Sequence, residues 1–454
     1  MALTLLCVLA PGVIPLAAQS GYGGPNILSR SASYQGRGQA LGPIKLRPYV
    51  NGNYFYSDGL VGIQPGNSGI SIGTLQGFSV GGGLYGTKIS RRSQTTFGYN
   101  GSYSRSRTFS LINGGDQNLV ITHERQLTRR WGFYTGHSAG AQSTVLRSRS
   151  LLQQDQFRST FEQSYINYNE PLDNKLYYIN SNAGLFYQKT QRLVFSMDGG
   201  VFTVQRQQTG LASVRGARAQ GEASYRLSPK SNVSFLYNFN TFFFKNSFGE
   251  SYVHSAMLAY ARRFNRTWAA YARAGTFRAE SERLRSVPVD PLVAELIGQF
   301  STIEVFHAIN TGFVAGGGLT GQWQHQALNF NFDRSVNPGN GLSLTALGQT
   351  ASAAYSYSTR RNLSTGLNIF YSQLTPLLQG LDRSTIINGQ IRQGQFKSYG
   401  AGGGIAYRLT SALYATANFE TARVQYDSTL FGATRKTATV GLAFSPGEVP
   451  LRWR

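Results

Sequence analysis

The chain is 454 residues long, 13 % aromatic and only 14 % charged, and it carries 53 glycines and a net charge of +23. Soluble proteins hold about 25 % charged residues, and bands of Phe, Leu, Val and Tyr on a soluble surface would lie uncovered. Beyond the N-terminus no apolar run reaches the ~18 residues of a membrane-spanning helix, so a helical membrane protein is excluded and a soluble one disfavoured.

In chain order, MALTLLCVLAPGVIPLAAQS is an apolar run that ends in small residues. It is expected to be a secretory signal over residues 1–18, cleaved after Ala18. Cys7 lies inside it without a lipobox, and the rest of the chain has no cysteine. That suits an oxidising compartment crossed without thiol chemistry.

Eight times a strand-like segment then meets a short polar turn and a second strand-like segment. The turns are KISRRS (88–93), LTRRW (127–131), QKTQR (188–192), RLSPKSN (226–232), ARRFNRT (261–267), GQWQH (321–325), STRRNL (358–363) and YRLTS (407–411). Seven carry Lys or Arg and none carries an acid. Longer Gly, Asn, Ser and Gln-rich loops join the hairpins. Short turns at one end and long loops at the other are the grammar of a transmembrane β-barrel.

The period of two runs through nearly every strand. Val233, Phe235, Tyr237 and Phe239 alternate with Ser234, Asn238 and Asn240. Leu193, Phe195, Met197 and Val201 alternate with Ser196, Asp198 and Gly200. One parity faces lipid and the other the lumen. A strand near Pro48–Ser57, sixteen in the hairpins and one near Thr434–Phe444 make eighteen, with both ends on the periplasmic side; sixteen or twenty would need only one hairpin misread. The stretch Ala141–Lys175 is where a further pair would hide. The fold class is therefore an all-β, antiparallel, up-and-down barrel. Residues 19–47 read as a periplasmic segment, 48–446 as the barrel and 447–454 as a tail.

Three segments, FSVGGGLYG (78–86), FVAGGGLTG (313–321) and YGAGGGIAY (399–407), set a Gly triplet before a short turn. Relief of crowding in a curved wall outweighs close approach to a ligand there. Between Arg278 and Thr311 the period changes. Asp290 suits a helix cap and Pro291 its first position, and Leu292, Val293, Leu296, Ile297 and Phe300 recur at helical spacing. This helix would either fold in as a constriction or cap the barrel mouth. The apolar core of Gln373–Arg392 would be a partner for its apolar face.

The closing segment TATVGLAFSPGEVPLRWR puts Ala438, Val440, Leu442 and Phe444 on one face. With the strand grammar, it resembles the last strand of Gram-negative outer-membrane β-barrel proteins of porin-like type. The opening KLRPYVNGNYFYSDGL is similar to the first strand of barrels associated with exopolysaccharide export. The resemblance implies residence in the outer membrane, contact with its lipids and handling by the barrel-insertion machinery.

A charge of +23 invites a nucleic-acid partner, but its distribution argues against one. Fifteen of the 43 basic residues lie in the short turns, among them Arg91, Arg92, Arg129, Arg130, Arg262, Arg263, Arg360 and Arg361. This ring is expected to meet anionic headgroups of the inner leaflet, at about 1 kcal/mol per residue. Without it, 28 basic residues face 20 acidic ones, so the lumen is expected to prefer anions mildly.

Parity points Arg273 and Tyr271 inward, and Arg408 near the rim. Each Arg either pairs with a lumen carboxylate such as Asp198, Glu222 or Glu420, the favoured reading, or contacts substrate. His123, His137, His254, His307 and His325 are scattered, and no metal, cofactor or catalytic motif emerges. The nearest approach to an enzyme is a rim site using Ser251 and His254. The leading function is passive diffusion of small solutes through an aqueous channel. The alternative is an accessory barrel for polysaccharide secretion or surface binding with a plugged lumen. No patch marks an oligomer contact.

Overall fold

Most of the short turns are built by one device. In the first of its clearest examples the Thr128 hydroxyl accepts from the backbone N–H of Arg130 and Trp131, at 3.2 and 3.1 Å. Thr190 does the same for Arg192 and Leu193, at 3.2 and 3.0 Å. Asn265 takes the role for Thr267 and Trp268, at 2.9 and 2.7 Å. A short polar side chain that satisfies the turn's own amides lets the chain reverse within four residues.

In the computed structural model the described residues are 44–63, 70–107, 113–143, 175–207, 211–245, 249–288, 295, 301–341, 344–359, 362–377, 395–426, 432–446 and 449–451. They form a single closed antiparallel sheet. Its strands are β1 (Ile44–Ile63), β2 (Ile70–Ile89), β3 (Ser93–Ser106), β4 (Gly114–Gln126), β5 (Trp131–Ser143) and β6 (Lys175–Gln188). Next come β7 (Leu193–Arg206), β8 (Ser213–Ser228), β9 (Ser231–Lys245), β10 (Gly249–Arg263), β11 (Trp268–Pro288) and β12 (Ser301–Gln322). The circuit ends with β13 (Gln326–Asn337), β14 (Ala346–Ser358), β15 (Leu363–Pro376), β16 (Phe396–Arg408), β17 (Leu413–Tyr426) and β18 (Gly432–Phe444).

All eight short turns fall between these strands where the sequence puts them. β1 closes the barrel on β18, from Val50 opposite Phe444 to Asp58 opposite Lys436. The barrel has eighteen strands. A short β19 (Val449–Leu451) continues β18 along β1, with Ile44 opposite Leu451. The first strand thus opens at Ile44, earlier than 48, and part of the expected tail is paired. Residues 144–174, where an extra pair could hide, lie outside the described residues.

Burial follows the alternation. On β9, Phe235 and Tyr237 are exposed while Ser234, Asn238 and Asn240 are buried. On β7, Met197 and Val201 are exposed while Ser196 and Asp198 are buried. A barrel that exposes its apolar row and hides its polar row is inside out for water and right for lipid. Aromatic residues rim the turn end: Trp131 stacks on Tyr187 at 4.6 Å, and Trp268 meets Trp323 edge-on at 5.1 Å. Thirteen tilted residues of ~3.3 Å each span roughly 30 Å, a bilayer core. The fold is that of a transmembrane β-barrel, with the short turns gathered at one end.

Leu258 is 63 % exposed in the middle of the outer band. Leu258→Arg there is expected to cost about 2–4 kcal/mol, read as a lowered urea midpoint in vesicles. An unchanged midpoint would mean that this face does not meet lipid.

Candidate functional site in the lumen

The inner wall has two zones. On β9 the inward row begins Ser234, Leu236, Asn238, Asn240 and then turns apolar at Phe242 and Phe244. On β7 it changes from Ser196 and Asp198 to Phe202 and Val204, and on β6 from Asn180 to Tyr178 and Leu176. The turn-side half of the lumen is largely polar along β6–β10 and the loop-side half is an apolar cluster. That cluster gathers Phe202, Val214, Phe242, Val253, Met257, Phe277, Val314 and Val336.

What covers the cluster is the end of the β13–β14 hairpin. Ser335 and Val336 are both buried, although consecutive residues in a wall face opposite ways. The described residues of the connection, 338–341 and 344–345, are buried too. The hairpin end has therefore left the wall and entered the lumen. Asn337-Pro338-Gly339-Asn340-Gly341 makes the bend: Pro338 cannot donate to a ladder, and Gly339 and Gly341 take φ of 68° and 88°.

Polar clasps hold the bend at its far side. The Gly341 carbonyl accepts from Ala212 N–H at 2.9 Å, and Arg206 reaches the Ala212 carbonyl at 2.6 Å. Thr345 meets Ser251 at 2.6 Å, and Ser251 donates to Ser281 at 2.9 Å. The sequence left the β11–β12 helix either folded in as a constriction or capping the barrel mouth. Pro291, Leu292, Val293, Leu296, Ile297 and Phe300 lie outside the described residues, and within that loop only Glu295 is seen, helical and exposed. The signal that could have found the infolded hairpin end was the NPGNG run following Asp333.

The Gly triplets have a further use. Arg273 on β11, Gly316 on β12 and Asp333 on β13 stand in register. Arg273 lies flat across Gly316 and forms a buried ion pair with Asp333, which also accepts from Ser335 at 2.7 Å. A Cβ at Gly316 would stand 2.5 Å from the Arg273 Nε. Tyr271 crosses Gly318 in the same way and donates to Asn331 at 2.5 Å. Tyr178 crosses Gly140 to Asn118 at 2.8 Å. Glycine here gives a neighbour's long side chain room to bridge two strands along the wall.

The Arg273 partner is thus Asp333, not Asp198, Glu222 or Glu420. Asp198 and Glu222 are on the inward parity of β7 and β8, and Glu420 pairs with Arg435 at 3.4 Å. Arg408 turns back on its own turn, donating to the carbonyls of Thr410 and Ser411 at 3.0 and 3.4 Å. Arg91, Arg92, Arg129, Arg130, Arg262 and Arg263 sit at the turn end, while Arg360 and Arg361 lie outside the described residues. Ser251 and His254 are on opposite faces of β10: Ser251 is clasped inside, and His254 is bonded to Tyr237 outside at 2.8 Å. They form no catalytic pair.

No family model matches the chain, and no curated protein matches its sequence. Among solved structures it is similar to the FrpB iron transporter of Neisseria meningitidis (F3-3 variant), at 10 % identity and a TM-score of 0.40. That match covers 87 % of this chain and 63 % of FrpB. OpdQ of Pseudomonas aeruginosa is 11 % identical with a TM-score of 0.36, over 90 % of this chain and 98 % of its own. A BenF-like porin of Pseudomonas fluorescens Pf-5 is 10 % identical with a TM-score of 0.41, over 88 % and 98 %. The chain spans less than two thirds of FrpB and of the ferric citrate transporter FecA.

Proposed function

We propose that the protein is a channel of the outer membrane, passing small solutes by diffusion through a lumen narrowed at its loop side. The observation that carries this reading is the polar inner wall. Asn51, Asn180, Asp198, Gln220, Asn238 and Asn240 all lie on the inward parity of their strands. An interior packed with apolar side chains has no use for such a face, whereas an aqueous lumen requires one.

Selectivity is weak on this reading. Inward Arg273 and Arg435 are matched by Asp333 and Glu420, so these two pairs add no net charge to the lumen. The basic turns at the periplasmic mouth supply a mild preference for anions. The same turns meet inner-leaflet headgroups: neutralising Arg91, Arg92, Arg129, Arg130, Arg262 and Arg263 should lower affinity for anionic vesicles. The loss should fade as salt rises, since such contacts are screened. Equal binding before and after the change, at low salt, would refute it.

A second reading is favoured by the infolded hairpin: a barrel plugged for a surface-binding or polysaccharide-secretion role. Single-channel recording of the refolded protein under a salt gradient separates the two. Discrete steps with a small anion-selective reversal potential support the channel. A folded barrel that never conducts supports the plug.

A further inference from the structure

The hairpin end that enters the lumen leaves a fork in the wall. β12 pairs with β11 along its whole length, from Ser301 opposite Pro288 to Gly321 opposite Trp268. On its other side it pairs with β13 only from Ala315, opposite Arg334, to Gln322. Among the described residues no strand pairs with the β13-facing edge of β12 from Ser301 to Val314. Closed barrels exist to abolish such edges, so a free edge in the wall is unusual. At the crotch the Arg334 guanidinium donates to the Phe313 carbonyl at 3.1 Å.

Apolar side chains stand on both sides of the fork. Outside, exposed Val305, Ile309 and Phe313 alternate with His307 and Thr311, and His307 meets Glu282 at 3.6 Å. Inside, adjacent Val314 joins Val253, Met257, Phe277 and Val336. A pore wall for ions and sugars has no use for that lining. Phe313 is 50 % exposed and Val314 3 %, so one peptide unit carries the apolar surface from lipid to lumen. Below the lining, Arg273, Asp333 and Ser335 give a polar floor.

The geometry points to a lateral portal: the fork between β12 and β13 admits a single-chain amphiphile between the outer leaflet and the lumen. The acyl chain lies against Val253, Phe277 and Val314, and its head faces the polar floor. Val336 fills the slot in this structure, and the infolded end of β13 must shift for the chain to enter. This route is separate from the axial one, so a silent axial pore leaves it standing and the reverse holds too.

The test uses the full-length protein in vesicles with its 4 tryptophans replaced by phenylalanine. One reporter is Phe277→Trp beside the fork, with Met257→Trp as a second should the first fail to fold. Ser79→Trp on the far inner wall is the control. The probe is dibromostearic acid, whose bromines quench tryptophan on contact. The Val314→Cys and Ser335→Cys pair, the next rung that the ladder would form, staples the fork when oxidised.

The fork-side reporter should be quenched several-fold more than the control. Oxidation of the staple should remove that excess and reduction restore it. Equal quenching at both walls, unaffected by the staple, would mean entry through the axial mouth and would overturn the portal. Absence of quenching beside the fork would overturn the apolar occupant.

Discussion

Replacing Pro338–Leu344 by a short Gly/Ser turn raises the single-channel conductance of the refolded barrel several-fold. The segment runs from the β13 end to the opposing β7–β8 connection, where Gly341 is clasped by Ala212. Most of what it covers is apolar lumen wall, and ion flow through a pore scales with its narrowest open section. The deletion also strips Leu344 from the cluster, so a gentler variant is needed. Gly341→Val serves: φ is 88° there, and a Cβ would stand 2.9 Å from the Arg206 Cδ. The clasp is then strained while the chain length is unchanged. Conductance should become noisy, with brief openings to the larger level. If both variants conduct like the parent, the hairpin end is not the constriction.

The second large effect concerns the buried ion pair. Arg273→Met leaves Asp333 charged and surrounded by wall, and should cost about 3–5 kcal/mol of unfolding free energy, as does Asp333→Leu. Replacing both together should cost much less than the sum, because a buried pair exchanged for apolar residues is often close to neutral. Gly316→Leu should reproduce the single losses with both charges retained, since it fills the space in which Arg273 lies. Urea unfolding in vesicles reads all four. Additive losses would show that the two residues act independently and that the bridge over Gly316 carries no coupling.

These two sites differ in how far the sequence announced them. The alternation Val233–Asn240 told which side chains of β9 face lipid, and the Thr128, Thr190 and Asn265 turns told where the chain reverses. Both are local: a period of two and a polar residue at a reversal depend only on near neighbours. Arg273 was legible as an inward charge for the same reason. Its partner was not, because Asp333 lies 60 residues away and meets it only through the register of β11, β12 and β13. Among the inward carboxylates, parity alone could not choose.

The infolded hairpin was harder still. Val336 and Leu344 read as ordinary strand or loop residues. The helical spacing of Leu292–Phe300 was the stronger local pattern and drew attention to another loop. Whether a connection lies over the rim or enters the lumen is decided by the wall opposite, here Phe202, Phe242 and Phe277, which no local pattern reports.

By itself, then, the sequence determined eighteen strands, their facing and the end at which the turns lie, because lipid outside and backbone pairing within the wall impose a period of two on every segment. Only the tertiary structure decided which charges pair, why the glycines stand where they do, and which segment narrows the lumen. Those depend on strand register around a closed sheet, which brings together residues that no local pattern relates.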